Sequence, residues 1–112
     1  MTQIDIYDLM TPDDLTAVNF RTMTVEEIAQ TLGAKLGLEF KFNGFFNEWQ
    51  AEPRKGYVLS VKVSNYSESR EPFLSCGWTD RKTMAGCGSP CDSLSEAYAF
   101  LNRAKERAGI YD

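Results

Sequence analysis

Two capping boxes fix the start of two helices, and they constrain the fold more than any other feature of the sequence. Thr24-Val25-Glu26-Glu27 places a hydroxyl and a carboxylate where they satisfy amide donors that the first helical turn leaves unpaired. Ser93-Leu94-Ser95-Glu96 repeats the pattern near the other end of the chain. Apolar residues at helical spacing follow both boxes. We predict one helix over residues 25 to 36 and a second that begins at Leu94 and ends before Gly109.

Between these helices the apolar residues alternate with polar ones, which is typical of strands with one face toward a core. Three segments show the pattern: residues 38 to 42, residues 57 to 65 and residues 73 to 79. Residues 50 to 56 read as a polar Pro/Gly connection, and residues 80 to 92 read as a long connection in which residues 84 to 87 pair briefly as an edge.

The resulting element order predicts a single small α+β domain. An N-terminal arm precedes an α-β-β-β-α unit with three or four antiparallel strands. Both helices pack on one face of the sheet, and the other face is left to water or a partner. That open face is also a candidate surface for pairing two copies of the chain.

The arm is predicted over residues 1 to 23 and the α+β domain over residues 24 to 112. Thr11-Pro12-Asp13-Asp14 combines a cap residue, a proline at the first helical position and acids in the first turn, which indicates a short helix. Residues 4 to 7 alternate and give a short strand as the other interpretation. Apolar anchors such as Leu9 and Phe20 predict that the arm docks on the domain.

The chain of 112 residues contains no histidine. This absence removes the commonest general base, the commonest metal ligand and every nucleophile that relies on a histidine partner. A domain of this length also has little room for a deep pocket beside its core. We expect a protein that is not an enzyme and that carries no cofactor.

The three cysteines, Cys76, Cys87 and Cys91, leave several chemistries open. A zinc site would need a carboxylate from Asp80 or Asp92 as its fourth ligand. A disulfide between Cys87 and Cys91 is geometrically conceivable. Either of these thiols also lies close to a helix start, which would favour a thiolate nucleophile, although no general base accompanies the thiol. Ordinary buried or loop thiols are the favoured interpretation, with no metal bound.

The net charge of -4 is concentrated at the N-terminus. Residues 1 to 34 hold six acids and one base, whereas residues 35 to 112 hold eleven bases and ten acids, so the two parts carry -5 and +1. An acidic chain disfavours binding that depends on neutralising phosphates, and a protein partner with a basic surface is the better expectation. The competing interpretation is that these acids complement helix dipoles and keep the domain soluble.

Acidic and aromatic side chains together suggest a protein-binding module. Aromatic residues are enriched at interface hot spots, although in a small domain they also fill the core. A small inhibitor or accessory protein of a phage or other mobile element has this profile, as anti-CRISPR proteins do. The candidate binding residues are Asp5, Asp8, Asp13, Asp14, Phe45, Phe46, Trp49 and Tyr66.

A nucleic-acid-binding module is the alternative. Bases in loops beside stacking aromatics suit single strands, and the candidates here are Arg54, Lys55, Lys62, Arg70, Arg81 and Lys82, beside Tyr57 and Trp78. The predicted element order also resembles the double-stranded RNA-binding domain. That domain depends on a basic helix start, whereas the second helix here opens with Asp92-Ser93-Leu94-Ser95-Glu96.

Residues 86 to 97 read Gly-Cys-Gly-Ser-Pro-Cys-Asp-Ser-Leu-Ser-Glu-Ala. This stretch resembles the glycine-cysteine turn and Glu-Ala helix start of HicB-type antitoxins, and the resemblance implies an antitoxin-like regulatory protein as a further alternative. No apolar run approaches the length of a membrane span, and the N-terminus lacks the pattern of a signal peptide, so we expect a cytoplasmic protein that does not bind membranes.

Overall fold

The computed structural model of the chain describes residues 19 to 64 and 72 to 109. Within these residues the chain forms a short 3-10 turn, two helices and five strands. The turn is Phe20–Thr22, the helices are α1 (Val25–Leu36) and α2 (Leu94–Arg107), and the strands are β1 (Lys41–Asn43), β2 (Glu48–Arg54), β3 (Tyr57–Ser64), β4 (Phe73–Asp80) and β5 (Ala85–Cys91). The strands form one antiparallel sheet in the order in which they occur along the chain. The predicted α+β class, with helices packed on an antiparallel sheet, is confirmed.

Both helices begin at the predicted caps. The Thr24 hydroxyl accepts a hydrogen bond from the Glu27 amide at 3.1 Å, and the Glu27 carboxylate accepts one from the Thr24 amide at 2.9 Å. The Ser93 hydroxyl accepts from the Glu96 amide at 3.1 Å. Gly37, with φ of 70°, ends α1 in the left-handed conformation that glycine adopts without a steric cost.

A buried lysine joins the two helices. Lys105 lies in the last turn of α2 and is 6% exposed, and its ammonium donates to the Leu36 carbonyl at 2.7 Å. That carbonyl belongs to the last turn of α1, where the helix leaves its C=O groups without intrahelical partners. The ammonium therefore satisfies an otherwise unpaired acceptor and complements the negative end of the α1 dipole.

The core lies between the helices and one face of the sheet. Its apolar residues come from the turn, from both helices and from alternate positions of the central strands. Phe20 is 2% exposed, which confirms it as an anchor of the segment that precedes α1. The largest fully buried side chains are Phe20, Ile28, Leu32, Leu36, Leu59, Leu74, Leu94, Leu101, Val61 and Cys76.

The sheet has more strands than the three or four expected, and β2 accounts for part of the difference. Residues 50 to 56 were expected to be a connection, but most of them belong to β2, which pairs with both β1 and β3. Pro53 is accommodated because the register of β2 against β3 shifts between Ala51 and Arg54. A bulge of this kind tolerates a proline within a strand, and the expected turn is confined to Lys55 and Gly56, which join β2 to β3 with Gly56 at φ of 84°.

The second difference is β5, which runs over seven residues where only a brief edge pairing was expected. Each of its residues has a partner in β4, from Asp80↔Ala85 to Leu74↔Cys91. Its glycines disfavour a strand locally, but the long neighbouring strand supplies a continuous ladder of partners. The glycine-cysteine stretch is therefore part of an edge strand and not a turn.

Candidate protein-binding surface

The hairpin between β1 and β2 carries its aromatic side chains on a well-defined turn. The Asn43 side-chain oxygen accepts from the amides of Phe45 at 2.9 Å and Phe46 at 3.3 Å, which is an asparagine-initiated turn. Asn47 has φ of 53°, a left-handed conformation that asparagine tolerates better than most residues. The local sequence thus fixes the backbone that presents the two phenylalanines.

These phenylalanines lie on the surface, as the protein-binding hypothesis requires. Phe45 is 88% exposed and Phe46 is 52% exposed, and their rings contact each other edge to face with centroids 4.8 Å apart. Phe42, at the base of the same hairpin, is 54% exposed. We call Phe42, Phe45 and Phe46 the aromatic tip.

Trp49 is placed differently from the two phenylalanines with which it was grouped. It is half-buried, lies opposite Val61 in β3 and packs against the core. Its ring also contacts Phe42, with centroids 5.7 Å apart, and its indole nitrogen is buried without a hydrogen-bond partner among the described residues. Trp49 therefore supports the aromatic tip from below.

The other candidate binding residues lie outside the described residues. These are Asp5, Asp8, Asp13 and Asp14 in the N-terminal arm and Tyr66 between β3 and β4. The short helix and the alternative strand expected in the arm lie outside them as well.

The open face of the sheet carries two adjoining shallow grooves with volumes of about 430 Å³ and 270 Å³. Gln50, Val58 and Arg81 line both. Val58 is buried although it points away from the helices, because neighbouring side chains cover it. The charged residues around the grooves are of both signs: Glu39, Lys41, Glu48, Glu52 and Arg81. This mixture gives no continuous basic surface of the kind that phosphate binding requires.

One of the predicted nucleic-acid-binding bases is held in an internal network. The Arg54 guanidinium contacts Asp80 at 3.3 Å and donates to the Ala108 carbonyl at 2.9 Å. It also lies over the Tyr57 ring, 5.0 Å from the centroid, and that ring stacks on Trp78 at 5.6 Å with an angle of 5°. Arg54, Tyr57 and Trp78 therefore tie β2, β3 and β4 to the end of α2.

Two pKa shifts follow from this network. Burial alone would raise the pKa of Asp80, but the Lys82 and Thr83 amides and the Arg54 guanidinium favour the carboxylate, and its pKa falls below the ordinary value. Burial raises the pKa of Tyr57, whose hydroxyl has no hydrogen-bond partner among the described residues. Sequence reasoning had placed Arg54 and Tyr57 in a binding surface, whereas the structure places them in a structural cluster.

No protein-family model, curated protein or solved structure matches the chain. Over residues 19 to 64 and 72 to 109, no helix is long and apolar enough to cross a bilayer. The same residues contain no group of three cysteine or carboxylate side chains arranged to hold a metal ion.

The three thiols are free and differ in accessibility. Cys76 and Cys91 are buried, and Cys87 is exposed on β5. The neighbouring Cys91 thiol and burial raise the pKa of Cys76, and the Cys76 thiol lowers that of Cys91. The thiol beside the helix start, Cys91, is therefore shielded from solvent.

Proposed function

We propose that the chain is a small protein-binding module, without enzymatic activity, that docks through its aromatic tip on a protein with a basic surface. The observation that carries the proposal is the 88% exposure of Phe45 on a turn that its own sequence holds in place. An exposed aromatic pair is costly in water and belongs to the residue types that dominate interface energetics.

Burial of the tip can contribute a substantial part of a binding free energy. Burying one phenylalanine side chain contributes about 1.5 to 3 kcal/mol, so Phe45 and Phe46 together supply several kcal/mol without any rearrangement of the core. The turn already fixes their backbone, which reduces the entropy lost on binding. The acidic arm would add attraction to a basic partner and increase the association rate.

We further propose that this module acts in the cytoplasm as an inhibitor or accessory protein of a phage or other mobile element. The acidic N-terminal part and the exposed aromatic side chains of the tip support this class. Neighbouring genes that encode phage structural or regulatory proteins would agree with it, and housekeeping neighbours would contradict it.

The decisive experiment compares two exposed apolar sites. Phe45→Ala combined with Phe46→Ala removes the two contacting rings of the aromatic tip and keeps Phe42, whereas Met84→Ala changes a side chain that is 85% exposed on the turn before β5. Affinity purification from the source cells with quantitative mass spectrometry identifies candidate partners, and the purified partner is then titrated with each variant.

We expect the double variant to unfold at the same denaturant concentration as the wild type and to lose at least ~2 kcal/mol of binding free energy, as hot-spot residues do. Met84→Ala should bind normally. If a purified partner binds the double variant as tightly as the wild type, the aromatic tip is not the docking surface.

A further inference from the structure

The outer edge of β5 is open among the described residues. β5 is the last strand of the sheet and pairs with β4 alone. Pro90 has no amide N–H, so Pro90 and Ser75 form a pair that exchanges no hydrogen bonds. Because hydrogen-bonded and non-hydrogen-bonded pairs alternate along an antiparallel ladder, Gly88 and Gly86 also belong to non-hydrogen-bonded pairs. The N–H and C=O groups of both glycines therefore point away from the sheet.

Weak side-chain contacts agree with this orientation. The Gly88 carbonyl accepts from the Cys87 thiol at 3.8 Å, and the Pro90 carbonyl accepts from the Ser89 hydroxyl at 3.4 Å. Strand edges are normally blocked by charged side chains, bulges or prolines, because an open edge pairs with another chain. β5 contains no charged residue, and Pro90 protects only one of its ends.

A groove lies beside this edge, under α2. Its volume is about 190 Å³, and it is lined by Trp78 and Cys87 of the sheet and by Phe100, Arg103, Ala104 and Arg107, which form one stripe of α2. Trp78 and Phe100 give it an apolar floor of a size suited to one large side chain. The groove therefore offers an apolar pocket directly next to free backbone donors and acceptors.

The charge of the groove is positive. Arg103 donates to a carbonyl of its own helix at 3.4 Å, and Arg107 lies 5.9 Å from the centroid of the Trp78 ring. Among the described residues, neither guanidinium has a carboxylate within 4 Å. Two cations that contact no carboxylate of residues 19 to 64 and 72 to 109, beside an uncharged strand edge, complement an acidic ligand.

From this juxtaposition we infer that the β5 edge and the adjoining groove bind an extended acidic segment of a partner protein as a sixth strand. Backbone hydrogen bonds to Gly86 and Gly88 hold the segment, and alternate side chains point toward α2. There an acidic side chain meets Arg103 or Arg107, and an aromatic or aliphatic one enters the groove.

A second copy of this chain fits the edge less well. Antiparallel pairing of β5 with its own copy would bring two α2 helices to the same seam, with Arg103 and Arg107 of both copies along it. Like charges at such a seam oppose association. This surface is distinct from the aromatic tip and has the opposite charge preference, so it goes beyond the function proposed above.

Nuclear magnetic resonance titration with defined peptides tests the inference. The probe is the heptapeptide Thr-Glu-Thr-Phe-Thr-Glu-Thr, in which the charged and aromatic side chains share one face of an extended strand. The control peptide carries lysine in place of glutamate. At millimolar concentration we expect the acidic probe to shift the amides of β5 and to slow hydrogen exchange at Gly86 and Gly88.

The variants separate charge from backbone recognition. Arg103→Glu with Arg107→Glu should weaken binding by ~10-fold or more, whereas Arg81→Glu, a single charge reversal on the other face, should not. Gly88→Pro removes one outward N–H without changing charge and should also weaken binding. This variant keeps the test valid if the double charge reversal fails to fold.

Several outcomes would overturn the inference. These are equal binding of the acidic and lysine peptides, the absence of shifts in β5, and unchanged binding by the arginine double variant. Protection of Gly86 and Gly88 in the free monomer would show that the chain itself occupies the edge, and protection that accompanies dimerisation would show that a second copy does. Loss of the peptide signal on removal of the aromatic tip would also contradict a separate site.

Discussion

Replacing Gly33 by alanine should destabilise the protein, although alanine is the better helix former. Gly33 lies inside α1, where glycine costs about 1 kcal/mol relative to alanine, so propensity alone predicts a gain of that size. However, a Cβ atom at this position would lie 2.5 Å from the Leu38 carbonyl oxygen and 3.2 Å from the Phe40 ring. The first distance is far below a van der Waals contact.

The Leu38 carbonyl cannot move away freely. The Leu38 amide donates to the Gly33 carbonyl at 2.9 Å, so the chain that leaves α1 is closed back over this glycine. Overpacking costs about 1 to 3 kcal/mol, and opening the capping hydrogen bond costs about 1 kcal/mol more. After subtraction of the propensity gain, we expect Gly33→Ala to lose about 2 kcal/mol of unfolding free energy.

Urea unfolding followed by tryptophan fluorescence measures the effect, which corresponds to a fall of roughly 1 M in the midpoint. Gly44→Ala is the matched control, because its Cβ would lie 3.6 Å from the nearest atom, in the Phe42 ring, and Gly44 is not in the left-handed region. That control should change the free energy of unfolding by less than ~0.5 kcal/mol. A Gly33→Ala protein as stable as the wild type, or more stable, would show that the end of α1 is not fixed as described.

Two further predictions concern the polar contacts of the fold. Lys105→Met should lower the free energy of unfolding by about 2 kcal/mol, because it removes a buried charged hydrogen bond and leaves a helix carbonyl unpaired. Lys62→Met on the open face is the control. An equal loss of unfolding free energy in both variants would refute the role of Lys105. Asp80→Asn should destabilise the protein at neutral pH, and its difference from the wild type should begin to shrink as the pH falls toward about 4, near the unfolded-state pKa, and vanish only below the lowered folded-state pKa. The Asp80 carboxylate stabilises the folded state at pH values above its unfolded-state pKa, because its pKa is lower in the folded protein. This stabilisation is lost as the pH falls through the folded-state pKa. A difference that persists undiminished in acid would contradict this.

The helices were predictable because their signals are local. Thr24 and Ser93 each cap a helix through contacts within three residues, and those contacts are visible in the sequence. The exposure of Phe45 and Phe46 was not predictable in this way, because the enrichment of aromatic residues at interfaces made them binding candidates while core filling was an equally local interpretation.

The strands β2 and β5 could not be predicted as well, because their stability comes from neighbours. Pro53 and the glycines of β5 disfavour strands locally, whereas pairing with long adjacent strands overrides that preference. The cluster of Arg54, Tyr57 and Trp78 was missed for the same reason, since Arg54 and Asp80 are 26 positions apart. Nothing in the local sequence distinguishes a cation held in such a cluster from one free to bind a ligand.

The sequential order of the sheet has a consequence for how the protein is made. Every strand pairs with the strand next to it along the chain, so the meander requires only short loop closures and can form while synthesis continues. The contact between Lys105 and Leu36 spans 69 positions and closes last. Until α2 has left the ribosome, the apolar face of the sheet is uncovered on one side and the Leu36 carbonyl at the end of α1 lacks its lysine partner. The nascent chain is therefore most exposed to aggregation and proteolysis in the interval before its final helix docks.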